Sequence, residues 1–189
     1  MYKNLFRISV LTGAVLAASG AMAVTATFTG AGTPIAIPDN GNASSTATAA
    51  GPAGAASITD VNLNVNITHT WSGDVGLTLA ATNPVVAPVA IVANCGTSGD
   101  YTGAITFDDA AAAPLACVAA TNIATGTFQS PNGATVMAAF NGSAAAGPVT
   151  WTLNVADDSA ICTGTLNSFS VTVTSDVPVP VELRNFSID

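Results

Sequence analysis

One histidine, three cysteines and a scatter of loop aspartates are the residues of this chain whose chemistry could go beyond packing. A Ser-His-Asp triad would have to use His69, with Asp60 or Asp74 and one of many serines. His69 lies in the run ITDVNLNVNITHTWSGD (Ile58 to Asp74), on the same side as Val61, Leu63, Val65, Ile67 and Trp71. That placement makes it a buried, hydrogen-bonded residue of a core rather than a base. No G-x-S-x-G nucleophile elbow is present. Cys95, Cys117 and Cys162 show no C-x-x-C spacing, and with a single histidine they do not make a zinc site. In an exported chain they imply one disulfide and one free thiol, with all three pairings open from the residues alone. A nucleophilic Cys162 would lack a second histidine to activate it.

The aspartates suggest a cation. Asp108 and Asp109 follow a short apolar run and open a loop, and Asp100 precedes the same run. Asp74 closes the turn after the long run, and Asp157 with Asp158 closes another. Calcium takes about six to eight oxygens, part of which loop carbonyls can supply. No EF-hand loop is present, and the competing reading is a set of turn-forming Asx residues. The chain carries a net charge of −8 with only 3 Lys and Arg, which excludes nucleic acid and an anionic membrane surface as partners of the mature domain. The acids either hold a cation or keep a surface of Ala, Thr and Asn soluble.

The elements that must position these residues follow from periodicity. Strict two-residue alternation over Ile58 to Asp74 predicts one long strand with a buried face and a wet face. Val75 to Ala81 returns after the turn Ser72-Gly73-Asp74. Val149 to Val155 alternates with Val149, Trp151, Leu153 and Val155 inward, and Leu166 to Thr174 with Phe169, Val171 and Val173 inward. Ala43 to Ser57 is too poor in large apolar residues to be core and reads as an edge strand and a loop. Ala110 to Ala124 is Ala-rich, yet Pro114, Thr121, Ile123 and the lack of a 3.6 period argue for a loop. The whole predicts an all-β antiparallel sandwich of about eight strands, its two long strands from opposite ends of the chain pairing at the centre.

Lys3 and Arg7, the apolar Ile8 to Ala18 and the small-x-small Ala21-Met22-Ala23 read as a secretory signal peptide. The apolar run falls short of the roughly 20 residues that span a bilayer. The expected organisation is a signal over 1–23, one domain over 24–176, and a Pro-containing linker or tail over 177–189. Cleavage leaves Arg184 as the single basic residue against 11 acidic ones.

Six stretches then stand in a recognisable order: IPDNG (37–41), ITDVNLNVNITHTWSGDVGLTL (58–79), TFDDAA (106–111), FNG (140–142), WTLNVAD (151–157) and TGTLNSFSVTVT (163–174). Together they resemble the P domain, or P/Homo B domain, of kexin- and furin-like proprotein convertases and of secreted bacterial subtilisin-like proteases. The resemblance covers about residues 33 to 175 and implies a jelly-roll β-sandwich. It implies a non-catalytic module that stabilises a subtilisin-like serine endopeptidase and influences its calcium dependence. It favours calcium at Asp108 and Asp109, with Asp74 and Asp100 as lesser ligands, and places His69, Trp71, Trp151 and Phe169 in the core. It favours a Cys95–Cys117 bridge, closing a loop of about 23 residues and contributing about 3 kcal/mol in the chain-entropy account. Phe169 stands where the family usually has Trp, and Cys162 where it often has Asp, which weakens any cation site that uses that Asp. A protease domain would lie downstream of Asp189, on another polypeptide or nowhere, and the protein is expected to be exported by a bacterium to the periplasm, the cell surface or the medium. The alternative is a structural or adhesive cell-surface module with no protease partner.

Overall fold

A two-residue period puts alternate side chains on opposite faces, and here it dictates two sheets packed face to face. The computed structural model describes residues 22–51, 55, 57–83, 85–143 and 148–177. Ten strands follow in order: β1 (Met22–Thr29), β2 (Ile35–Ile37), β3 (Asn42–Ala50), β4 (Ser57–His69), β5 (Val75–Thr82), β6 (Val85–Ala93), β7 (Tyr101–Phe107), β8 (Gly126–Phe128), β9 (Pro148–Asp157) and β10 (Gly164–Val177). Single turns of 3-10 helix lie at Ser72–Asp74 and Met137–Phe140.

One sheet has six strands in the order β1-β10-β4-β7-β8, with β2 also on β10; the other has the order β3-β9-β5-β6. The pairs are antiparallel except β7 with β8. This is the expected all-β sandwich. The three-residue β2 falls where turns were expected, and the three-residue β8 in a stretch whose pattern is extended. The long strands β4 and β10 pair centrally, from Gly164 opposite His69 to Asp176 opposite Ser57. A register shift between Leu166 and Ser168 leaves Asn167 unpaired, and both Leu166 and Phe169 therefore face inward and are buried.

The core lies between the sheets. Trp151, fully buried, sits against Phe140 edge-on with ring centroids 5.1 Å apart and against Phe28 at 6.2 Å. Its cross-strand partners are Ala47 on β3 and Ala81 on β5. The stretch Ala43 to Ser57, expected to contribute nothing to the core, does contribute: Ala43 and Ala47 are buried. Their smallness makes room for the indole beside them, a large-against-small fit that composition alone hides.

Two expectations about the long strand change. It ends at His69, not Asp74. Trp71 is consequently not a core residue but 39% exposed. The chain bends there because the His69 ring engages the main chain of Trp71, with Nδ1 2.9 Å from its carbonyl oxygen, and the 3-10 turn begins at Ser72. His69, Trp151 and Phe169 are buried as expected. The sandwich begins with β1 at Met22 and ends with β10 at Val177 among the described residues. The expected signal sequence up to residue 21 and the tail from 178 lie outside the described residues.

Candidate functional site

The alternation of β4 and that of β9 both end on a polar residue that faces the core. On β4 the inward series Val61, Leu63, Val65, Ile67 runs on to His69; on β9 the series Val149, Trp151, Leu153, Val155 runs on to Asp157. The two side chains meet: Nε2 of His69 lies 3.2 Å from Oδ2 of Asp157, and neither side chain reaches solvent. The other Asp157 oxygen, Oδ1, accepts the Ser159 N–H at 3.1 Å. Buried polar groups of this kind need partners, and each finds one in the other. Both nitrogens of His69 are thereby committed, one to Trp71 and one to Asp157. A triad needs one of them turned to a nucleophile, so this ring is placed as a structural tie.

Around the tie the chain builds a shallow pocket of about 280 Å³, lined by Trp71, Asp74, Ser159, Ala160, Ile161 and Cys162. Main-chain bonds lock its walls together. The Asp158 N–H donates to the Asp74 carbonyl at 2.9 Å, and the Asn40 N–H to the Ser159 carbonyl at 3.2 Å. The carboxylate of Asp39 accepts the Ile161 N–H at 2.8 Å. Cys162 carries a free, half-buried thiol. The carboxyl of Asp74 is held above its usual range, first by partial burial and then by the negative neighbours Asp157 and Asp158, with His69 pulling the other way.

A second, separate acidic group lies beyond the far end of β7. Asp108 Oδ1 accepts the Ala110 N–H at 2.7 Å, an Asx turn. Asp109 accepts the Met137 and Ala138 N–H groups at 3.1 and 2.7 Å, capping the 3-10 turn that carries Phe140. Asp60, on the outer face of β4, belongs with them: its carboxyl is raised first by burial and then by Asp108 and Asp109. Asp60 had no place in the expected calcium set, although the β4–β7 pairing of Leu63 with Phe107 brings the two segments side by side.

The expected ligands therefore do not form one site. Asp74 is at the His69 end, and Asp100, whose N–H donates to Asn122 Oδ1, precedes Tyr101 opposite His69 at that same end. Asp108 and Asp109 follow the other end of β7, about 25 Å away at the usual rise of a strand. Among the described residues no three His, Cys, Asp or Glu side chains converge as a metal shell. A cation at Asp60, Asp108 and Asp109 would draw most of its oxygens from carbonyls and water.

The disulfide is Cys95–Cys117, with S–S 1.98 Å, as the resemblance implied. It pins the loop whose Thr97 carbonyl accepts the Gly73 N–H at 3.1 Å, and so supports the turn that displays Trp71 and Asp74. The inward placement of Asp157 and its pairing with His69, the part played by Ile161, and the exposure of Trp71 were missed in the sequence. Asp157 was legible, since one more step of the β9 alternation points it inward. No family model matches the chain, and no curated protein matches it.

Proposed function

We propose that this chain is a secreted, non-catalytic β-sandwich module of P-domain type, an accessory that stabilises a subtilisin-like serine endopeptidase. The observation that carries the reading is the His69–Asp157 tie, which joins the NITHT stretch to the WTLNVAD stretch. The IPDNG stretch is bonded into the same end through Asp39 and Asn40. Three of the six resembled stretches thus have interlocking structural work in one place, which gives a physical reason for their occurring together. The family's jelly-roll order and its association with calcium belong to the same proposal, with Asp60, Asp108 and Asp109 as the acidic group.

The test is a mixing experiment. A subtilisin-like catalytic domain from the same organism, freed of any module of its own, is heated with and without this protein. The expected result is a longer half-life of peptidase activity and a complex on gel filtration. Unchanged inactivation with no complex would overturn the proposal.

A further inference from the structure

The pocket beside the His69–Asp157 tie displays apolar surface that a folding chain would normally hide. Trp71 is 39% exposed and Ile161 is 92% exposed. Ile161 also sits at φ 91°, a left-handed conformation that a β-branched residue adopts only under constraint. Asp39 supplies part of that constraint by accepting its N–H. Glycine would fill this position with less strain, so packing does not require isoleucine there. Asp74 lines the same pocket as these two apolar residues, with Cys162, Ala160 and Ser159 completing the walls.

We propose that this pocket binds a lysine or arginine side chain of a partner polypeptide, its alkyl stem against Trp71 and Ile161 and its cationic head at Asp74. Charge complementarity argues for that occupant. Every lysine and arginine of the chain (Lys3, Arg7 and Arg184) lies outside the described residues, so nothing on the described surface neutralises Asp74 and Asp158. A cation over an indole face gains a further attraction. The volume suits one long side chain and is below the roughly 300–1,000 Å³ of sites for drug-sized ligands. Once the expected signal is removed with Lys3 and Arg7, the chain's one remaining cation, Arg184, cannot reach the pocket of its own molecule. The pocket adjoins the Gly164 end of β10, whereas the tail leaves from Val177, 14 strand residues along. Seven extended residues from Val177 to Arg184 reach only about 25 Å, against about 43 Å for the strand. The inference rests on the pocket and needs no protease partner.

The two tryptophans make the test direct, because Trp151 is fully buried and Trp71 is not. The full chain is titrated with acetyl-Gly-Arg-Gly-amide and its lysine counterpart while tryptophan fluorescence is followed. Glutamate and norleucine versions and methyl glucoside serve as comparators. A saturable change with the two cationic peptides alone is expected, weakening as salt rises. Asp74→Asn should bind about fivefold more weakly, the scale of an exposed ion pair. Ile161→Gly should lose binding while its Tm stays at or above that of the parent, which separates a binding role from a folding one. No saturable change, equal response to the glutamate or norleucine peptide, or parental binding by both variants would overturn the proposal. A response to methyl glucoside alone would make this a sugar site instead. Self-association of the free chain, abolished by Arg184→Gln, would make a second copy the occupant.

Discussion

His69 on β4 and Asp157 on β9 meet at 3.2 Å across the two sheets, with both side chains shut off from water. Such a pair contributes little against a well-packed apolar substitute, yet breaking it from one side strands a buried charge or dipole. His69→Ala is therefore expected to lower stability by about 3–5 kcal/mol, the range for a buried pair that loses one partner. Adding Asp157→Ala to it should recover part of the loss, because the stranded carboxylate goes too. Urea unfolding of the two single variants and the double one measures the coupling. Strictly additive losses would show that the two residues do not depend on each other.

Gly164 faces His69 across the β10–β4 pair, and a Cβ there would overlap both the imidazole and the Thr68 carbonyl. Gly164→Ala is expected to be destabilising by about 1–3 kcal/mol, as overpacking of a filled interior is. Gly76 on β5 supplies the comparison, since its nearest new contact would be an ordinary 3.7 Å. Gly76→Ala should leave Tm nearly unchanged. Equal Tm values for the two variants would sink the argument that the histidine ring is held from this side.

The sandwich was legible in the sequence because alternation is a direct imprint of two-sided strands, and β4, β9 and β10 carry it almost without a break. The limits of legibility are physical too. Trp71 continues the apolar series, but the His69 ring bends the backbone after the strand and turns the indole outward. Ala47 looks too small for a core until its neighbour across the ladder is known to be Trp151. The grouping of Asp60 with Asp108 and Asp109 depends on which strands pair and in what register, and a single strand's pattern does not fix that. The pocket is harder still, because Ile161 lies in a loop where no periodicity operates.

Cys95 and Cys117 stand 22 residues apart in sequence, and their bond holds the loop that supports the Ser72–Asp74 turn. Reduction should lower stability by about 3 kcal/mol in the chain-entropy account. It should also loosen the turn locally. Acrylamide quenching of the exposed Trp71 is expected to rise on reduction well before the protein unfolds, with the buried Trp151 unaffected. Dithiothreitol titration with paired Tm and quenching measurements checks this. A Tm that falls with no change in quenching would confine the disulfide's role to global stability.

Asp60 offers the sharpest separation of pH from calcium. Burial first, and then the charges of Asp108 and Asp109, hold its carboxyl above the ordinary Asp value of 3.8. A carboxyl raised in the folded state binds its proton more tightly there than in the unfolded chain. Its contribution is therefore most favourable below pH 3.8 and is lost as pH rises through the folded value. At neutral pH the ionised Asp60 is a small liability. Asp60→Asn should raise stability at pH 7 by a few tenths of a kcal/mol, the scale of partly exposed charges. That gain should vanish as pH falls below 3.8. A cation at this place would reverse the comparison: millimolar calcium should raise the Tm of the parent protein, chelator should return it, and Asp60→Asn should respond less. Thermal melts at pH 3 and pH 7, with calcium and with chelator, contain all of these outcomes. A parent Tm that ignores both calcium and chelator would remove the cation, while the pH dependence would still report the repulsion among Asp60, Asp108 and Asp109.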